Sequence, residues 1–268
     1  MWSQKTKKGK KAGEKMKKTL TAAIATVLLL NPFGCNSKIS PSRHNTLVEE
    51  NQHRWKTNLE DILKSSYCIR EVVKDEQGKY SIAGYASAVA IKKEGGFTYL
   101  TTSAHVYTSS KEDKLEHRFF IVENSHDTDP SDDIPIELIN YHPNELDTAL
   151  IRVKGDLHVS NKYKIKEDLK LTPGDEIILV GYPLSFDNLP TKGMVSKVYD
   201  EGIVLDLTVN FGNSGGLAFY KDGRGDFYLV GQLSGCLISN PILHTCAALA
   251  LVKPIDKIKK AWEIEHND

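Results

Sequence analysis

The stretch Asn210-Phe211-Gly212-Asn213-Ser214-Gly215-Gly216 decides how this chain is read. Glycines on both sides of one serine permit a tight turn and a close backbone approach to a bound carbonyl. In such a loop of Gly212, Asn213 and Ser214, the N–H groups of Gly212 and Ser214 converge on one point, where charge developing on an oxygen would be held. A glycine-rich turn has many uses, but two upstream stretches narrow them. They are Thr101-Thr102-Ser103-Ala104-His105-Val106 and Glu145-Leu146-Asp147-Thr148-Ala149-Leu150-Ile151. A base, an orienting carboxylate and a nucleophile therefore stand in the order His105, Asp147, Ser214, each beside a strand-like run. That order suits acyl-transfer chemistry in a cleft between two β-barrels.

The pattern around these stretches agrees. Runs rich in β-branched and aromatic residues occupy 67–74, 80–91, 97–102, 118–122, 134–140 and 148–153. Turn signals such as Glu76-Gln77-Gly78 and Glu94-Gly95-Gly96, and the polar segment 123–133, separate most of them. A second set follows at 176–180, 193–199, 203–207, 217–220, 227–233 and 246–252. The expected fold is all-β: two six-stranded antiparallel β-barrels with a C-terminal helix. Pro254 opens that helix, with Ile255, Ile258, Ala261 and Trp262 on one side. Residues 46–64 predict a short helix through Leu47, Trp55, Leu59, Ile62 and Leu63. The organisation expected is an export segment (1–35), a tether and helix (36–64), a first barrel (65–153), a lysine-rich linker (154–173), and a second barrel with the terminal helix (174–268).

The chain has 268 residues, and Lys plus Arg balance Asp plus Glu. The balance hides an asymmetry, because eight lysines and a single acid fall within residues 1–18. The remaining body is mildly acidic, which argues against a nucleic-acid footprint. The apolar run 20–30 is too short to span a bilayer and has the length of a signal-peptide core. Met16-Lys17-Lys18 would give it an ordinary charged start, making Met16 the expected first residue. Gly34-Cys35 after this core resembles a bacterial lipobox, with Cys35 as the lipidated residue and a membrane anchor. Pro32 and Phe33 depart from that pattern, and cleavage without lipidation or an uncleaved anchor are the alternatives. Cys236 and Cys246 flank a short loop. A disulfide between them would contribute about 2–3 kcal/mol in an exported chain; two unpaired thiols on neighbouring strands are the alternative. Cys68 lies in an apolar run and is expected to pack as a small hydrophobe. No C-x-x-C pair is present, and neither metal nor cofactor is expected.

On these motifs the body resembles the trypsin/chymotrypsin-like serine proteases, and within them the Deg/HtrA branch of envelope proteases. Leu100 to Val106 is similar to that branch's histidine motif, Glu145 to Val153 to its aspartate motif, and Leu205 to Gly216 to its serine loop. Val180-Gly181-Tyr182-Pro183 resembles its Gly-x-Pro turn, and Lys192 to Ser196 the strand after it. The resemblance implies a serine endopeptidase with catalytic His105, Asp147 and Ser214, an oxyanion hole at Gly212, Asn213 and Ser214, and a protein or peptide substrate. It also implies a specificity pocket near Thr208, with Ser234-Gly235-Cys236 as the strand that pairs with substrate. No acidic residue stands at the implied pocket base, so a small or medium apolar side chain is expected there. Asn213 replaces the aspartate of digestive relatives and cannot pair with a freshly cut N-terminus. The chain stops at 268, straight after the terminal helix, so no PDZ domain is expected. The location implied is the bacterial cell envelope, periplasmic or tethered. A catalytically silent homologue that binds extended peptides is the competing reading.

Three further features have bland readings. The stretch His126 to Asp133 is acidic but lacks the glycine and closing glutamate of a calcium loop, and reads as a solvated loop. Arg224-Gly225-Asp226 reads as a hairpin turn. His117, His126, His142, His158 and His244 have no motif around them and read as surface residues.

Overall fold

Alternation along the strands, and its local failures, account for most of the architecture. A computed structural model describes residues 43–108, 116–122, 133–166, 169–185, 188–240 and 245–262. The export segment with Met16 and Cys35, residues 123–132 with His126, His244, and the side chain of Cys246 lie outside the described residues. Thr46–Asp268 forms one compact unit.

The first sheet contains β1 (Ser66–Lys74), β2 (Tyr80–Glu94), β3 (Phe97–Thr102), β4 (Glu116–Val122), β5 (Ile134–Pro135), β6 (Glu137–His142) and β7 (Thr148–Lys154). Their order is β5-β4-β1-β2-β3-β7-β6, and all pairings are antiparallel. The sequence predicts one strand at 134–140. The structure divides it at Ile136, with β5 pairing to β4 and β6 to β7. The two edges of the sheet are therefore consecutive in the chain, so a single segment bridges the open side of a half-barrel. Ile69, Ala88, Leu100, Ile121 and Ile151 fill its interior.

The second sheet holds β8 (Tyr163–Lys164), β9 (Glu176–Val180), β10 (Thr191–Tyr199), β11 (Gly202–Asp206), β12 (Leu217–Lys221), β13 (Phe227–Asn240) and β14 (Thr245–Pro254). Its order is β12-β9-β10-β11-β14-β13-β8, and an additional β12–β13 pairing closes six strands into a barrel. β8 lies in the segment read as a linker and pairs parallel to β13. β13 and β14 form a longer hairpin than the sequence pattern suggests. Register shifts at Leu233/Gly235, Cys236/Ile238 and Ile238/Asn240 break the alternation that would have marked its far half.

Helix α1 (Arg43–Lys64) explains why β9 reads as an unbroken apolar run. Ile177 and Leu179 face the barrel interior, whereas Ile178 and Val180 join Ile62 of α1 in a separate cluster. A strand buried on both faces has no polar side to alternate with. Helix α2 (Ile255–Ile258) and the 3₁₀ turn Lys259–Trp262 complete that cluster through Ile255, Ile258 and Trp262. Arg224-Gly225-Asp226 is a hairpin turn, as expected, and it is capped by α1. The Asp222 carboxylate accepts from the N–H of Arg224 and of Asp226, and Arg54 of the helix donates to the Arg224 carbonyl. No helix of the described residues is long and apolar enough to cross a membrane.

Two expectations are corrected. Asp133, at the end of the supposedly solvated acidic stretch, is 5% exposed and forms a 2.8 Å ion pair with Arg70, itself 1% exposed. His117 is not a surface residue: its ring is 5% exposed, and its Nδ1 lies 2.6 Å from the Glu71 carboxylate. In both cases the partner is distant in sequence, and no local pattern announces it. Cys68 packs fully buried, as expected, with its thiol 3.7 Å from the Ile69 carbonyl.

Candidate active site

Adjacent strands carry the histidine and the aspartate to the same place. β3 and β7 pair antiparallel, with Thr102 opposite Ala149. The 3₁₀ turn Ala104–Tyr107 that follows β3 therefore lies beside Asp147, which immediately precedes β7. Tyr107 anchors that turn: it is buried, with its ring 4.3 Å from that of Phe119. Burial, and next the Glu71 charge, push its hydroxyl far above the usual tyrosine range, so it stays neutral.

The His105 Nδ1 stands 2.9 Å from Asp147 Oδ2 and 3.1 Å from Oδ1, and the His105 backbone N–H donates to Oδ1 at 2.9 Å. On the other side of the ring, Nε2 is 2.9 Å from the Ser214 Oγ. Asp147 is 7% exposed, whereas the His105 ring is open to solvent. Asp147 has φ 46°, a left-handed conformation rare outside glycine and tolerated by aspartate. Its carboxylate also accepts from Ser234 Oγ at 2.6 Å, and its carbonyl from Gln232 Nε2 at 3.4 Å.

Ser214 lies in the loop between β11 and β12 of the second barrel, and Ser87 of β2 stitches that loop to the first sheet. The Ser87 N–H donates to the Ser214 carbonyl at 2.8 Å, and its hydroxyl donates to the Gly212 carbonyl at 2.7 Å. The same hydroxyl accepts from the Tyr182 N–H at 2.8 Å. Two glycines allow the loop to fit. Gly212 (φ 94°) would place a Cβ 2.3 Å from the Tyr182 carbonyl oxygen, and Gly215 (φ 86°) one 2.2 Å from that of Ser87. Substitution of Ser87 by alanine is expected to cost about 2 kcal/mol and to slow any reaction at Ser214. Urea denaturation, alongside labelling of Ser214, measures both.

The Gly-x-Pro turn acts on the same loop. The Leu184 N–H donates to the Phe211 carbonyl at 2.6 Å. In a trans peptide the following N–H, that of Gly212, points the opposite way. The Asn213 N–H is used within the loop, donating to the Asn210 carbonyl at 3.1 Å, and the Asn213 side chain is buried. Among the described residues the N–H groups of Gly212 and Ser214 donate to no protein acceptor.

A cleft of about 400 Å³ opens beside Ser214 and His105, lined also by Ile69, Tyr85, Val106 and Phe211. A hollow of about 470 Å³ between α1 and the loop at 156–158 is lined by none of Ser214, His105 and Asp147. Of the residues expected at the specificity pocket, Thr208 is exposed, and Gly235 faces open space on β13, with nothing within 4 Å of a built Cβ. Ser234 bonds the aspartate instead of standing free. Sequence reasoning missed Ser87, Ser103, whose hydroxyl donates to the Leu233 carbonyl at 2.7 Å, and Gln232. Ser103 adjoins the histidine motif and could have been suspected. Ser87 and Gln232 sit in ordinary strands with no local signal. No cluster of His, Cys, Asp and Glu suited to a metal ion occurs among the described residues.

Residues 86–231 match the family model of the trypsin-like peptidase domain, and the chain belongs to that family. Its relatives are of Deg/HtrA type. Serine protease HTRA1 of Xenopus laevis is 26% identical over 199 residues, covering 69% of this chain and 37% of that protein. The "Probable periplasmic serine endoprotease DegP-like" of Marinomonas sp. (strain MWYL1) is 27% identical over 173 residues, covering 55% of this chain and 36% of that one. The chain thus spans little more than a third of the length of these curated relatives. The fold is similar to that of the serine endoprotease from Yersinia pestis. That crystal structure matches with a TM-score of 0.54 at 17% identity, covering 77% of this chain and 64% of the other.

Proposed function

We propose that this chain is a serine endopeptidase acting through Ser214, His105 and Asp147. The observation that carries the reading is the unbroken hydrogen-bonded line from the Ser214 hydroxyl through both ring nitrogens of His105 to the Asp147 carboxylate. Ser214 Oγ attacks the peptide carbonyl carbon while its proton passes to His105 Nε2. The carbonyl π pair moves onto oxygen, and the Gly212 and Ser214 amides hold that oxyanion. Each such donor lowers the barrier by roughly 3 kcal/mol. Collapse expels the amine, which takes the proton from Nε2 and leaves an acyl-enzyme on Ser214. Water, deprotonated by the same imidazole, releases the acid. Asp147 fixes the ring orientation and stabilises the imidazolium.

Substrate would lie along Ser234-Gly235-Cys236 as an added strand, with open space over Gly235 to admit it. The periplasmic naming of a relative supports an exported protein of the bacterial envelope. Anchoring through a lipidated Cys35 is part of the proposal, and so is a Cys236–Cys246 bridge. The bridge is supported by the pairing of β13 with β14, the adjacent strands that carry these two positions.

A fluorophosphonate probe tests the reading. The chain is expected to label at Ser214, with labelling abolished in Ser214→Ala. A folded chain that never labels but binds extended peptides would be the silent homologue instead.

A further inference from the structure

The carbonyl of Asp147 faces a different set of groups from its carboxylate. Gln232 Nε2 donates to that carbonyl at 3.4 Å. Gln232 Oε1 accepts from Thr101 Oγ1 at 2.6 Å and from Thr148 Oγ1 at 3.3 Å. Thr101 Oγ1 in turn accepts from the indole N–H of Trp262 at 3.0 Å. Thr101 and Thr148 are fully buried, and Gln232 is 1% exposed. Polar groups this deep are costly unless paired, and paired they polarise one another and specify one arrangement.

The elements involved give the cluster its meaning. Gln232 and Ser234 stand two apart on β13 and both reach Asp147, while Leu233 between them joins the barrel core. β13 therefore holds Asp147 twice, by an amide on its backbone and a hydroxyl on its carboxylate. Asp147 immediately precedes β7 of the first sheet and β13 belongs to the second, so the grip links the two sheets. Its target is a residue at φ 46°. A left-handed aspartate persists only where its surroundings over-determine it. Trp262 ends the terminal 3₁₀ turn, which is seated by Ile255 and Ile258 in the outer cluster.

We propose that Gln232 is a positioning residue that sets the Asp147 backbone, and that Trp262 couples the seating of the C-terminal turn to that network. The proposal rests on the reading of Asp147 as the triad acid. Loosening Asp147 misaligns the imidazole and weakens its support as imidazolium. The consequence is slower chemistry at unchanged substrate affinity, with the acid limb of the pH–rate profile moved to lower pH.

The test uses the full chain with Gln232→Met, which keeps length and removes the amide, and Trp262→Phe, which keeps the ring packing and removes the N–H. Three quantities are measured: the rate of fluorophosphonate labelling against pH, kcat and KM on an unfolded protein substrate, and the low-field proton NMR signal of the His105 Nδ1–H. Gln232→Met is expected to lower labelling and kcat about tenfold with KM unchanged, to move the acid limb to lower pH, and to displace the NMR signal. Trp262→Phe is expected to do the same about threefold while melting with the parent chain. Unchanged pH limbs and NMR signals in both variants would overturn the inference, even if melting temperatures fell, because a merely structural cluster gives that result. If the parent chain fails to label, the catalytic reading falls instead; the inference is then decided by the NMR signal, which Gln232→Met must still displace.

Discussion

Ser214→Ala and His105→Ala each lower turnover of an unfolded protein substrate by a factor on the order of 10⁶, and the double variant is no slower than either. The 2.9 Å contact between Nε2 and Oγ is the reason. The hydroxyl is a poor nucleophile until the imidazole takes its proton, and the imidazole has nothing to activate once the hydroxyl is gone. Removal of either therefore removes the same step. The residual rate comes from the loop amides and from binding, which both substitutions leave in place. Steady-state kinetics on the single and double variants decides the matter. Losses that multiply would mean that the two residues act separately, and the triad reading would fail. Binding of an extended peptide should survive in both variants, since the strand at Gly235 is untouched.

Asp133→Ala is expected to destabilise the fold by about 3–5 kcal/mol, the cost of removing one partner from a buried ion pair. Arg70 is among the largest fully buried side chains of the molecule, and its guanidinium lies 2.8 Å from the Asp133 carboxylate. The two side chains are only 1% and 5% exposed, so the loss is screened less than it would be on the surface. The same reasoning predicts an asymmetry. Replacing both residues by apolar side chains of similar volume, Arg70→Met with Asp133→Leu, costs far less than the single change. Urea denaturation at constant slope measures each variant. A single variant as stable as the parent would show that the pair contributes nothing. Because Asp133 closes the segment between β4 and β5, and Arg70 lies on β1, the pair ties the end of that segment to the sheet interior.

Much of this protein was legible before any coordinates. His105, Asp147 and Ser214 each lie in a short motif whose glycines or apolar flanks have a local physical cause, and the structure brings all three within hydrogen-bonding reach. Strand positions were legible wherever one face is buried and the other wet. They blurred where that rule fails: at β9, buried on both faces; at Ile136, where one strand becomes two; and along β13, where bulges shift the register. His117 and Asp133 were misread because composition near them is polar, while the groups that bury them arrive from β1.

The chain by itself determined the barrel architecture and the choice of candidate reacting groups, since both depend on residue type and on spacing within a few positions. Only the tertiary structure decided how those groups are held. Ser87 on the serine loop, Ser234 and Gln232 on Asp147, and Trp262 behind them are contacts between segments far apart in sequence. A hydrogen bond across such a distance leaves no periodicity or motif, because its partners are brought together by the packing of whole sheets.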